Sequence, residues 1–524
     1  MKLIRSTLII SFFTMMSRIL GLVRDILTAN FLGASVINDA LITATKLPNL
    51  FRRMFAEGAF NAAFIPLYAR RIENDGEDSA ARFAGESMAA LAFLVALIVI
   101  GFQITMPWTL NLIGGGLDKV SFDGEPSTYD LAVLYARITM PYLFLMSLAA
   151  LLSGMLNTHN RFAIAAFVPV LYNIVSISIL VLATRQQITL EQLALFLSIG
   201  MTVSGVLQLG LLIYGLKRSS IRLPLYRPRL TPGVKRLWTL GVPGMISAGI
   251  THINIMVSHS ISTLQEGAPS WLYYSDRLYQ LPLGIIGIAM GVALLPALAR
   301  RLRAGDESGA MTSMNRAIEI TAYLTVPATI ALAVMPEFLI GGLFERGRFE
   351  AHDTIKTAQA LQMFAYGLPA FVLLKVLTPA FFARENTLTP MIFAAISAFL
   401  NLILGATMFF TLGFYGLALA TTIAGWTNVL LLGRVLIRDG NLRFDKRLRL
   451  RLPRIAAAAA VMGLVSWYGA KYARPYLNGH ILNDYFWLGV ICGLGLLTYI
   501  IFSFVFRAFN MSDFRYAFRR SPDT

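Results

Sequence analysis

Cysteine is nearly missing from this chain. Among 524 residues there is one, Cys492, inside an apolar run near the end. An intramolecular disulfide is therefore excluded, and so is a metal site built from several cysteines. Charge is scarce as well. Charged side chains make up 14% of the residues against 56% hydrophobic, and a mean hydropathy of +0.64 excludes an ordinary soluble domain. The scarcity is one-sided, since 28 acidic residues face 45 basic ones for a net charge of +17. Histidines number five. His252 and His259 share a helix face in "THINIMVSHSISTLQ", but no carboxylate or cysteine accompanies them. A polar seam between helices is expected there in preference to a metal site.

What the chain has instead is long apolar runs. Stretches such as "FLVALIVIGFQITMPWTL" and "WLGVICGLGLLTYIIFSFVF" recur from end to end, each near the roughly 20 residues that cross a bilayer as a helix. About 14 spans are expected. Runs without strict alternation satisfy their backbone within a helix, so the fold class is an all-α polytopic membrane protein and not a barrel. The start, "MKLIRSTLIISFFTMM", has the charge and apolar core of a signal peptide, but it has no small-residue cleavage site and "SRILGLVRDILTANFLGA" continues the same span. It is expected to remain as the first helix.

The positive charge sits in alternate loops. Arg70 and Arg71; Lys217, Arg218, Arg222, Arg227, Arg229, Lys235 and Arg236; Arg300, Arg301 and Arg303; Arg443, Lys446, Arg447, Arg449, Arg451 and Arg454; and Arg515, Arg519 and Arg520 form five basic groups. The intervening loops are acidic or balanced, as in "GGGLDKVSFDGEPSTYD" and "FERGRFEAHD". This positive-inside pattern predicts a multi-pass membrane protein with both termini cytoplasmic. Nucleic acid is not an expected partner, because the basic loops lack interleaved aromatics. Their charge reads as topology, with anionic-lipid contact as an adjunct. "GGG" at 114 to 116 lacks a following lysine-serine pair and reads as a turn, not a nucleotide cradle.

The chain also repeats itself. "KLPNLFRRMFAEGAFNAAFIPLYARRI" (46–72) and "QLPLGIIGIAMGVALLPALARRL" (280–302) share an LP pair, an apolar segment and a P-L/A-x-A-R-R exit. "GMLNTHNRFAIAAFVPVLYNI" (154–174) and "AFFARENTLTPMIFAAISAFLNL" (380–402) share a polar turn at Asn160 or Asn386 and a run reaching Asn173 or Asn401. About six spans separate each pair, an even number, so two lobes of the same orientation related by pseudo-two-fold symmetry are expected. The lobes are read as residues 1–220 (helices 1–6) and 221–440 (helices 7–12), followed by two C-terminal helices in 441–524. Internal duplication of this kind points to transport, with the site between the lobes.

Ionisable groups at membrane depth mark candidate functional positions. The first span carries Arg18, Arg24 and Asp25, and the second carries Asp39, Lys46, Arg52, Arg53 and Glu57 around Pro48 and Gly58. In the second lobe "WLYYSDRLYQLP" supplies Asp276 and Arg277. Guanidinium groups stay charged and clamp phosphate oxygens bidentately, which suits a diphosphate in a partly dehydrated cavity. Taken singly, each has a structural alternative: Arg18 can snorkel from a helix end, and Arg53 with Glu57 can be an intrahelical pair.

"SRILGLVRD", "NDALITATKLPNLFRRMFAEGAFNAAFIPL", "WLYYSDRLYQLP" and "GVALLPALARR" together resemble the MurJ (MviN) family, lipid II flippases of the multidrug/oligosaccharidyl-lipid/polysaccharide exporter superfamily. The resemblance covers nearly the whole chain. It implies 14 helices in two lobes, a cationic central cavity for the diphosphate and sugars of lipid II, and a groove for the polyprenyl tail formed by the last two helices. It assigns Arg18, Arg24, Arg52 and Arg277 to the diphosphate and Asp25, Asp39 and Glu57 to pairing or gating. It implies a transporter and not an enzyme, without cofactor, with lipid II and membrane lipids as partners, and it leaves cell-wall synthesis or division machinery open as a further partner. Two departures bear on coupling. Gln280 stands where some relatives carry an acid, and residues 245–263 and 388–410 contain no Asp or Glu, which counts against a sodium site built on carboxylates. The membrane potential is the expected drive. A flippase of another polyprenyl-diphosphate saccharide, such as an O-antigen unit, would use the same arginines. A drug exporter would show an acidic cavity, and a membrane enzyme would need paired carboxylates with histidine, which the sequence does not show.

Overall fold

A computed structural model describes residues 2–53, 59–118, 127–186, 188–477 and 479–508. Among these residues the regular structure is helical throughout. Packing divides the chain into two compact units, Met1–Ser270 and Trp271–Thr524. The first holds α1 (Lys2–Leu32), α2 (Val36–Arg52), α3 (Ala59–Asp75), α4 (Glu77–Ile113), α5 (Thr128–Thr139), α6 (Pro141–Thr158), α7 (Phe162–Ala183), α8 (Leu190–Arg218) and α9 (Pro232–Ser262). α10 (Ala268–Arg303) begins at the boundary, and the second unit continues with α11 (Glu307–Val334), α12 (Pro336–Phe344), α13 (Ala351–Phe382), α14 (Leu388–Leu412), α15 (Tyr415–Arg438), α16 (Lys446–Ala473) and α17 (Ile481–Val505). Taking α2 with α3, α5 with α6 and α11 with α12 as single passes gives fourteen. Nine segments among the described residues are long and apolar enough to cross a membrane by themselves.

The surface pattern shows why these helices need a bilayer. Along α4, Phe93, Leu97, Ile100, Ile104, Trp108 and Leu112 are all exposed at three- and four-residue spacing. This is one helix face. In water it would be a large apolar patch, whereas among lipid tails it is the natural outer surface. α14 (Ile392, Ile396, Phe399, Ile403, Phe410) and α17 (Phe486, Val490, Leu497, Ile501) repeat the arrangement in the second unit. Cys492 is exposed on α17, in keeping with an inert lipid-facing thiol.

Helix ends follow local chemistry. Pro141 breaks the α5–α6 pass at a position where its missing N–H is harmless. Ser35 caps α2 by accepting from the Asn38 N–H, and Thr189 and Gln192 form a reciprocal capping box at α8.

The core of the first unit is built on buried aromatic and aliphatic side chains. Phe64 of α3 stacks on Tyr68 at 5.4 Å and on Phe83 of α4 at 5.7 Å. α9 packs on α3 and α4. The α8–α9 linker is pinned to α4 as well. Thr231 Oγ1 donates to Glu86 Oε2 at 2.8 Å, and a Cβ on Gly85 would fall 2.1 Å from the Pro224 carbonyl oxygen, so only glycine admits the linker this close. The first compact unit thus takes in the linker and α9 and runs to Ser270, past the residue 220 at which the repeat suggests the first lobe ends. The glycine turn at 114–116 has a packing role too. The Gly116 N–H donates to Thr263 Oγ1 at 3.2 Å, and a Cβ there would meet the Thr263 carbonyl at 2.4 Å.

In the second unit the C-terminal hairpin α16–α17 is fastened to the helices before it. Glu319 of α11 is buried and accepts from Arg316, Arg447 and Arg451, with Arg447 Nη2 at 3.0 Å. Asp445 pairs with Arg316 as well. At the other end of the hairpin Arg474 pairs with Glu345 at 2.7 Å, and Arg346 lies 3.6 Å from the buried Asp484. Reading the basic run at the start of α16 as topology alone is thus incomplete, because Arg447 and Arg451 hold α16 to α11.

Candidate functional site

The candidate residues fall into both units. In the first, Arg24 sits on α1 with its side chain 12% exposed and Asp25 beside it at 4%. Burying a guanidinium unpaired is strongly unfavourable, and three neighbours relieve it. Asp25 Oδ1 accepts from Arg24 Nε at 3.0 Å and from Nη2 at 2.6 Å. Asn173 Oδ1 of α7 accepts from Arg24 Nη1 at 3.1 Å. The Tyr172 ring lies beneath the guanidinium at 4.9 Å. The group is held on two edges and one face. Heptad spacing suggests Arg18 as the residue sharing a face with Asp25, but the ion pair is made by Arg24. Arg18 is half-buried on the same helix, two turns earlier.

Arg52 ends α2, with its Nε 3.4 Å from Asn49 Oδ1 of the preceding turn, and Arg53 is exposed next to it. Glu57 and Gly58 lie outside the described residues.

Asp39 is fully enclosed near the start of α2. It accepts from the Gly267 N–H at 2.7 Å, the Ser270 N–H at 3.0 Å and the Ser270 hydroxyl at 2.6 Å. The Ser270 N–H is one of the orphan donors of the first turn of α10 and Gly267 directly precedes that helix, so Asp39 caps it from another element. Asn38 Nδ2 donates to Ser270 Oγ at 3.1 Å and to the Gly33 carbonyl at 2.7 Å, and His259 of α9 meets Thr43 Oγ1 at 3.0 Å. His259 thus belongs to a polar seam between helices, and Ser270 is a participant that sequence reading missed.

In the second unit Arg277 Nη2 donates to the Tyr273 hydroxyl at 2.8 Å, and its guanidinium lies 4.6 Å from the same ring. Asp276 accepts from Gln280 one turn on. Gln280, the departure from an acid noted in the sequence, therefore serves as donor to a neighbouring carboxylate.

A cavity of about 570 Å³ in the first unit lies between the α3–α4 turn and the start of the α8–α9 linker, lined among others by Tyr68, Glu77, Asp78, His159 and Arg222. Two carboxylates against one arginine give it the wrong charge for a diphosphate.

The family model described as lipid II flippase MurJ matches residues 28–486. The chain belongs to the MurJ family. Among MurJ relatives, the probable lipid II flippase of Rhizobium meliloti (strain 1021) is 43% identical over 462 residues, covering 88% of this chain and 86% of the relative. That of Rhizobium tropici is 39% identical over 523 residues, covering 99% and 97%. A solved structure described as lipid II flippase MurJ in an inward closed conformation superposes with a TM-score of 0.76 at 27% identity, covering 95% of this chain and 98% of that one. An inward-facing multidrug resistance MATE transporter of the MOP superfamily has a TM-score of 0.67 at 16% identity, covering 81% and 95%, and shares the fold.

Proposed function

We propose that this MurJ-family chain moves lipid II, the polyprenyl-diphosphate-linked peptidoglycan precursor, from the cytoplasmic to the outer leaflet of the bacterial inner membrane by alternating access. The observation that supports this most directly is Arg24, a guanidinium kept charged and oriented inside an apolar pass by Asp25, Asn173 and Tyr172. A guanidinium fixed in this way within an apolar pass is a charge that an anionic headgroup can meet without reordering it.

In this reading Arg18, Arg24, Arg52 and Arg277 bind the diphosphate, and Asp25, Asp39, Arg53, Glu57 and Asp276 pair with them or gate the cycle. The basic loops face the cytoplasm, and α16 with α17 receives the polyprenyl tail. The work is binding and conformational exchange, with no covalent step. An inside-negative potential favours the inward return of an empty cationic site by about 2.3 kcal/mol per charge per 100 mV.

The test is complementation of a flippase-depleted cell together with measurement of lipid II on each leaflet. Arg24→Ala, Arg52→Ala and Arg277→Ala should each abolish growth and leave lipid II inside while the protein still inserts, and lysine should restore activity only in part. Full activity of the triple alanine variant overturns the site assignment. Transport of another polyprenyl-diphosphate saccharide in place of lipid II overturns the substrate.

A further inference from the structure

We propose that Asn173 is a positioning residue for the substrate diphosphate, acting through Arg24; this rests on the flippase reading above. Asn173 lies in the middle of α7, in a run without charged residues, and is 4% exposed. A primary amide buried in such a setting is unfavourable unless both of its ends are satisfied. Both ends are directed at α1. The carbonyl oxygen accepts from Arg24 Nη1 at 3.1 Å, and the amide nitrogen donates to the Ser17 carbonyl at 2.9 Å and the Ser17 hydroxyl at 3.3 Å. Ser17 precedes Arg24 by seven residues, two helical turns on the same face. The side chain therefore braces the guanidinium against its own helix.

The neighbouring residue completes the brace. Tyr172 puts its ring 4.9 Å below the guanidinium, while Asp25 holds the Nε–Nη2 edge. A free arginine side chain would lose about 2 kcal/mol of rotamer entropy on fixing. Here that ordering precedes substrate arrival, and preorganisation of this kind raises affinity without adding a contact to the ligand. The repeated run in the second half also reaches an asparagine, Asn401 of α14, and it too is buried.

The rival role is simple adhesion of α7 to α1. The two differ in whether the effect of losing Asn173 depends on Arg24. The full chain in nanodiscs is titrated with a fluorescent polyprenyl diphosphate, and melting is followed in parallel. Asn173→Ala should weaken binding roughly tenfold, the scale of a charge-assisted hydrogen bond, and should add less than about twofold when Arg24 is already alanine. Should Asn173→Ala not fold, Tyr172→Leu carries the same cycle, with Tyr172→Phe restoring affinity because the ring face remains. Equal weakening in both backgrounds, or unchanged affinity with lowered melting, overturns the proposal and establishes adhesion. Native affinity in Arg24→Ala, or no binding by the unmodified chain, removes the diphosphate reading itself. That failure is recognisable without any Asn173 variant.

Discussion

Asp39 illustrates what a buried carboxylate does in this chain at the residue scale. Three donors from the turn before α10 and its first residues converge on it, and the groups are buried on every side. Removing the carboxylate strands two backbone N–H groups and a hydroxyl, each carrying a desolvation penalty. Asp39→Ala should therefore lower stability by about 2–4 kcal/mol, and Asp39→Asn by less, since one carbonyl acceptor remains. Thermal unfolding of the detergent-purified protein measures both, and an unshifted melting curve for Asp39→Ala would show that the cap contributes nothing. The sequence marks Asp39, Arg24 and Asp25 as unusual because they interrupt apolar runs. It is silent about their partners, since Asn173 lies 149 residues from Arg24 and Ser270 lies 231 from Asp39.

Among the elements, the α16–α17 hairpin is tied down by ion pairs of unequal burial. At the basic end Glu319 and Arg451 have side chains 8% and 9% exposed, with Arg447 and Arg316 completing the cluster. At the opposite end Arg474 and Glu345 are 30% and 29% exposed. Water screens the second pair and hardly reaches the first. Glu319→Ala should cost about 3–5 kcal/mol and open the start of α16 to trypsin, because it leaves the buried Arg451 without its carboxylate. Arg474→Ala should stay within about 1 kcal/mol. Comparable losses at the two ends, read by melting and limited proteolysis, would contradict this ranking. The hairpin was legible as two apolar passes. Its fastening was not, although Glu319 inside an otherwise apolar run, three residues after Arg316, was a usable signal.

For the molecule as a whole, orientation follows from where the charges lie. Between Glu191 and Glu266 there is no acidic residue, while seven basic ones stand from Lys217 to Arg236. The positive-inside preference predicts this linker in the cytoplasm and the α9–α10 turn outside. With Cys492→Ser as background, Arg227→Cys should react with a membrane-impermeant thiol reagent only after cells are permeabilised, and Glu266→Cys should react in intact cells. Both positions are exposed, so shielding within the fold does not confuse the result. The reverse pattern would invert the topology and with it the direction of transport.

Helical class, the passes and the charge asymmetry are written in consecutive residues. Transfer of an apolar run into lipid and satisfaction of its backbone are local quantities, so about 20 neighbouring residues decide them. Pairing is decided otherwise. Whether Arg24 meets Asn173, whether Asp39 caps a helix two hundred residues on, and whether a basic run signals topology or clasps Glu319 depend on which helix faces pack together. That choice is made by close packing between distant segments, and only the tertiary structure records it.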